Sequence, residues 1–298
     1  MTFQFDDATQ VWPRGDGTLS ARVHDGWDIG GNANGGYLLA LVAAAMRHAT
    51  GRPLPVALSC HYLAPINDAD VVIETSIIKV GKAFTTALAT MRHGERIIVM
   101  ASGTLADGFS VGGLAHETRS SPQIPPIADL ASRDTSSSGM PGLMSKLDVR
   151  LHPDDVGFAL GTPSGRALVR GWCAFRDTRP VDALALTLMC DALPPAMFNL
   201  SGAPGWVPTV HLSFYLRGVP APGPIVAEFA THHLHGGMFE EDGLLWDSTG
   251  ALVALVRAAS QATASTRRRG AWLPQVVPTP VTPHLYAMLR LRFRHAVQ

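Results

Sequence analysis

"CHYLAPI" at residues 60–66 and "SFYLRGV" at residues 213–219 read as one element met twice, 153 positions apart. Working outward, "VVIETSII" from position 71 answers "IVAEFATH" from position 225, which sets Glu74 opposite Glu228 at an offset of 154. "RIIVMAS" from position 96 answers "ALVALVR" from position 251 at an offset of 155. Three offsets agreeing within two residues, in the same order, indicate a duplicated unit.

Each copy opens with a helix. In the first, the Gly/Asn-rich turn "DIGGNANGG" leads into a segment where Leu38, Leu41, Val42 and Ala45 recur at helical spacing, with Asn34 as a candidate cap. Gly51 and Pro53 end it. Four pieces rich in β-branched residues follow, punctuated by Pro65, Gly81 and Gly94, and suggest an antiparallel meander. In the second copy "ALVRGWCAFR" reads as a strand. "VDALALTLMCDAL" reads as a helix capped by Asp182 and stopped by Pro194 and Pro195, and four strand-like pieces follow. A bent sheet wrapped around "YLLALVAAAM" explains why that helix has so little polar face. The expected class is α+β. The units run over residues 1–107 and 149–262, joined by a Gly/Ser/Pro-rich linker at 108–148 and followed by a basic extension at 263–298.

Composition narrows the function classes. Hydrophobic residues make up 46% and charged residues 16%, which suits a sizeable core and excludes a disordered chain. Formal charge is zero, yet Arg267, Arg268, Arg269, Arg290, Arg292 and Arg294 fall in the last 32 residues, which hold no acid. Removing those six leaves 18 bases against 24 acids, so the body is acidic and nucleic acid is not an expected partner. In the extension, Leu289, Leu291 and Phe293 alternate with arginines, as in a strand with a basic face. Cys60, Cys173 and Cys190 have neither zinc nor redox spacing and point to a reducing, cytoplasmic compartment. No signal peptide is apparent, and the apolar run at 37–46 is too short to span a bilayer.

"GGNANGGYLLALVAAAM", "HYLAPI", "KVGKAFTTALATMRHGERIIVMASG" and "GLLWDSTGALVA", spread over both copies, resemble the type II acyl-CoA thioesterases, a double hot-dog family. The resemblance covers about residues 12–262. It implies two hot-dog units side by side, each a sheet wrapped around a helix. It also implies an acyl-CoA or related acyl-thioester substrate, no cofactor, and a homo-oligomer through sheet edges. In that family an Asp, a Thr or Ser and a Gln hold the water that attacks the thioester. By the resemblance the Asp falls on Asp191 and the hydroxyl on Thr209, while Gly35 and Gly36, beside Asn34, offer helix-start amides to the thioester oxygen.

The Gln position departs. "GALVALVRA" puts Ala258 there. Gln261 lies three residues on, at the opposite parity for a regular strand. Ser260 has the right parity but stands about 6.6 Å further along, at ~3.3 Å per residue. The expected activity is therefore hydrolysis of a fatty acyl-CoA or related acyl thioester by Asp-activated water. The alternative is a non-hydrolytic acyl or acyl-CoA binding protein. A hydratase would need His211 to converge with Asp191. A metal site is not expected: of His232, His233 and His235 only the last two share a strand face, and no Cys or carboxylate completes a set. "SIIK" lies in a strand pattern, and no G-x-S-x-G occurs.

Overall fold

The computed structural model describes residues 2–109, 114, 116–132, 140–201 and 207–262; the basic extension and the proposed strand within it lie outside these. The chain opens with α1 (Gln4–Ala8), β1 (Val11–Pro13) and β2 (Leu19–Val23), then a small hairpin, β3 (Asp28–Ile29) and β4 (Asn32–Ala33). The first unit continues with α2 (Gly35–Thr50), β5 (Leu54–Tyr62), β6 (Ala69–Val80), β7 (Phe84–His93) and β8 (Arg96–Ala106). The second holds β9 (Leu147–Leu151), β10 (Leu168–Phe175), α3 (Ala183–Met189), α4 (Phe198–Ser201) and β11 (Thr209–Leu216). It ends with β12 (Ile225–Ala230), β13 (Leu234–His235), β14 (Met238–Trp246) and β15 (Leu252–Gln261).

Apart from the β3–β4 hairpin and β13, which pairs β14, the strands form one antiparallel sheet in the order β1-β2-β6-β7-β8-β5-β11-β15-β14-β12-β10-β9. The order reads as a mirror about β5 and β11. Those two strands carry the repeated stretches, and they are hydrogen-bonded neighbours with Cys60 opposite Leu212 and Ala57 opposite Tyr215. The duplication thus closes on itself through its most similar strands.

The four strands after α2 are not a simple meander. β6, β7 and β8 follow by tight turns, but β5 pairs with β8 instead of β6. The connection from β5 to β6 carries Pro65, which has no amide hydrogen, and the Ile66 carbonyl accepts a bond from Ala33 N–H (2.8 Å). That segment is tied to the β3–β4 hairpin and so cannot turn back as a hairpin of its own.

Helix α2 is apolar around nearly its whole circumference, with every residue from Gly36 to Ala43 buried, together with Ala45 and Met46. It ends at Gly51, whose left-handed backbone (φ 68°) suits a residue without Cβ. Helix α3 has only seven residues, all buried, and Asp182 caps it by accepting from Ala185 N–H (2.8 Å). Its end falls two residues before Asp191, which therefore sits in the following turn and not on the helix. Leu193, preceding Pro194, is disfavoured from the helical region, so the chain cannot resume the helix there.

Part of the Gly/Ser/Pro-rich segment is anchored. Pro125 accepts from Trp172 Nε1–H (2.9 Å), and the carbonyls of Ile127 and Leu130 accept from Arg150. At the other end α1 inserts Phe5, fully buried, against Trp27 and against Phe175 of the second unit. Arg179 covers Phe5 and bonds Asp6, which fastens the N-terminal segment across both units.

The two helices meet at Gly36. A Cβ there would lie 2.4 Å from the Leu188 carbonyl oxygen and 2.9 Å from that of Thr187, both backbone atoms that cannot swing aside. Gly36→Ala is expected to lower unfolding stability by about 1–3 kcal/mol, the usual cost of overpacking, read from the denaturant midpoint at pH 7.

Candidate functional site

The site is the junction of the α2 N-terminus with the turn after α3. Asn34 is the α2 N-cap, and its Oδ1 accepts from Tyr37 N–H (3.0 Å). The same side chain turns its Nδ2 to Asp191, donating to the main-chain carbonyl (2.8 Å) and to Oδ2 (3.1 Å). Gly36 N–H also donates to Asp191 Oδ2 (3.1 Å). Gly35 leaves room for this carboxyl: a Cβ at that position would stand 2.8 Å from Oδ2 and 3.1 Å from the Tyr62 ring. Tyr62 fixes the turn by donating from Oη to the Gly35 carbonyl (2.8 Å).

Burial pushes the Asp191 carboxyl up to about 6, against the opposing pull of the Gly36 and Gly35 amides, Asn34 and Thr209. The positive end of α2 acts in the same sense as those amides. Burial likewise drives Cys60 up to about 12, and it holds Cys190 and Tyr62 well above their ordinary ranges, so these neighbours stay neutral near pH 7. Asp191 is the group in this cluster that can change charge near neutrality.

Thr209 reaches the site through an irregularity. The ladder between β11 and β15 slips between Thr209 and His211, leaving Val210 unpaired and exposed. The bulge turns Thr209 inward, opposite Ser260, whose Oγ donates to Thr209 Oγ1 (3.4 Å). His211 stays on the outer face with Ser59 (Oγ to Nε2, 2.9 Å) and the ring of His61, centroids 4.6 Å apart. The bulge therefore separates His211 from Asp191, and the hydratase arrangement is not formed.

On β15, Ala258 and Ser260 are buried and Gln261 is exposed. Ala258 pairs with Leu212 on one side and with Glu241 of β14 on the other. Glu241 shares the inward parity of the buried Phe239, Gly243 and Leu245. Its Oε2 accepts from Ala196 N–H (2.6 Å), just past the double proline. Burial, with Asp191 and then Asp242 adding like charge, pushes it up to about 8, opposed by the Ala196 bond. Sequence reasoning passed over Glu241 and Tyr62, whereas the inward parity it gave Ser260 is the one the structure has. For Glu241 a signal existed in "MFEEDGLLW", where alternation alone assigns it the core face.

His233 bonds Glu240 (2.8 Å), and His232, His233 and His235 are all exposed. Among the described residues no group of three or more His, Cys, Asp or Glu side chains could hold a metal ion. Nor is any helix among them long and apolar enough to cross a membrane.

Comparison with known proteins agrees with this architecture. Residues 23–106 match the family model of the acyl-CoA thioesterase N-terminal domain, and residues 121–259 that of the C-terminal domain. An uncharacterised protein of Mycobacterium tuberculosis is 30% identical, over 81% of this chain and 91% of its own. A Thermobifida fusca protein described as a thioesterase II superimposes with a TM-score of 0.79 at 27% identity, covering 88% of this chain and 98% of its own. A hot-dog protein of unknown function from Alicyclobacillus acidocaldarius also reaches 0.79, at 22% identity, covering 89% of this chain and all of its own. With both of its halves matched and the hot-dog arrangement repeated about β5 and β11, the chain belongs to the double hot-dog acyl-CoA thioesterase family.

Proposed function

We propose that the protein hydrolyses acyl-CoA or a related acyl thioester, with Asp191 as the base that activates water. The observation that carries this reading is a buried carboxyl poised near neutrality and fixed by Gly36, Asn34 and Thr209 at the junction of the two units. A base with its pKa just below the working pH is both ionised and basic enough to accept a proton. The water's oxygen bonds to the thioester carbonyl carbon while its proton passes to Asp191. The C–S bond then breaks, and the proton moves on to the departing thiolate. Thr209, itself accepting from Ser260, orients the carboxylate and the water. Because the Gly36 amide already donates to Asp191, its role in this scheme is to hold the base, and substrate closure would have to redirect any amide that polarises the carbonyl.

Ala258 at the Gln position favours a second reading, binding of acyl-CoA without turnover. A panel of acyl-CoA esters assayed by thiol release separates the two. Hydrolysis predicts turnover that falls at least about a hundredfold in Asp191→Asn and about tenfold in Thr209→Ala. Tight binding with no thiol released, unchanged in Asp191→Asn, would leave the binding reading standing.

The same carboxyl has a consequence for stability. Its folded value of about 6 lies above the ordinary 3.8, so the folded state binds the proton more tightly. That contribution is full below about pH 4 and is lost as pH rises through 6. Asp191→Asn is therefore expected to unfold at higher denaturant than wild type at pH 8, with the difference closing toward pH 4.

A further inference from the structure

We propose that Glu241, directly across the β14–β15 ladder from Ala258, supplies the contact to the attacking water that a Gln at position 258 would otherwise make. This rests on the hydrolase reading above and names a further member of the same site. Directly opposed residues of an antiparallel pair share a face with Cβ atoms about 4.5–5.5 Å apart. A Glu side chain on β14 can therefore enter the space over a small residue on β15. Ala258 keeps that space open, and it is buried.

Three further observations support the assignment. Glu241 is directed inward, whereas its neighbours Glu240 and Asp242 face out and pair with His233 and Arg257. Its Oε2 is pinned by Ala196 N–H in the segment that follows Asp191, while Oε1 takes no hydrogen bond from the described residues. The like charge of Asp191 acts on it as well, beside its inward direction and its bond to Ala196. The groups acting on Glu241 are Asp191 from the α3 turn and Asp242 on its own strand, both of like charge. Arg257 of β15 lies on the outer face beside Asp242.

The chemistry of the replacement follows from protonation. A carboxylic acid has one hydrogen to donate and a carbonyl oxygen to accept, so it can do for a water what a primary amide does. Ionised, it could only accept, and it would repel the charge on Asp191. Held up to about 8, Glu241 is neutral at pH 7 while Asp191, at about 6, is mostly ionised. Two carboxyls whose surroundings drive them apart in this way take opposite roles, one a base and the other a donor.

The test is the pH profile of kcat for thiol release from an acyl-CoA that wild type cleaves, with unfolding curves confirming that each variant is folded. Wild type should lose about tenfold per pH unit above 8. Glu241→Gln, which cannot ionise, should lack that alkaline fall and keep the acid limb near 6, while Glu241→Ala should lower kcat at least tenfold at pH 7. If Glu241→Gln keeps the alkaline fall, or folded Glu241→Ala stays within twofold of wild type while Asp191→Asn is inactive, Glu241 has no such role and the hydrolase reading survives. No thiol release by wild type from any acyl-CoA would overturn both.

Discussion

The close approach of two helix ends is the constraint on which the site depends. At Gly36 the α2 backbone lies so near the Leu188 and Thr187 carbonyls that no side chain fits between them, and Gly35 is equally confined by Asp191 and Tyr62. The glycines let the amide-rich N-terminus of α2 meet the turn after α3. A carboxylate that follows a short buried helix thereby finds donors in the other unit. Neither unit alone would hold Asp191: Asn34, Gly36 and Tyr62 come from the first, Thr209 and Ser260 from the second.

That arrangement opposes stability. A buried carboxyl pays for desolvation, and the bonds from Gly36, Asn34 and Thr209 return only part of it, so Asp191 remains above the ordinary carboxylate range. Glu241 is more confined still, with one main-chain donor and no cation facing it among the groups that shift it. Asp155 shows the other solution in this chain. It is fully buried, and Arg170 bonds it through main chain and guanidinium as a structural pair. Asp191 and Glu241 have no such cationic partner among the groups that shift them, and both stand above the ordinary carboxylate range.

The duplication, the α+β class and the apolar character of both helices were legible in the sequence because they rest on periodicity and on repeated spacing. The parity of Gln261 was legible too, since alternation alone exposes it. Three features were not. The partner of β5 is chosen by tertiary pairing, and nothing in "LPVALSCHY" distinguishes β8 from β6. Helix α3 stops at Met189, four residues before its apolar pattern ends at Leu193, so Asp191 lies in a turn, and Leu193, preceding a proline, keeps the helix from resuming. The bulge at Val210 reverses the parity between Thr209 and His211, so an unbroken strand would have put both on one face. Glu241 contradicts the rule that acids face water, although alternation alone gives it the core face.

The repeat also lets the two inner faces be compared. In the first unit Gly103 stands between Leu58 and Ala87 on the inner face, and Met46 of the sixteen-residue α2 approaches so closely that its sulfur would lie 2.5 Å from a Cβ there. In the second unit the matching ladder is Leu212, Ala258 and Glu241, displaced by 154, 155 and 154 positions. Helix α3 stops after seven residues, before it could supply a counterpart of Met46. Where one unit brings a methionine over Gly103, the other directs Glu241 inward opposite Ala258. Shortening one helix of a duplicated pair thus does two things: it releases Asp191 into a turn that can meet α2, and it opens the inner face where Glu241 reaches Ala196. One unit packs Met46 over Gly103, while the other, with its shorter helix, leaves Asp191 in a turn and Glu241 directed inward.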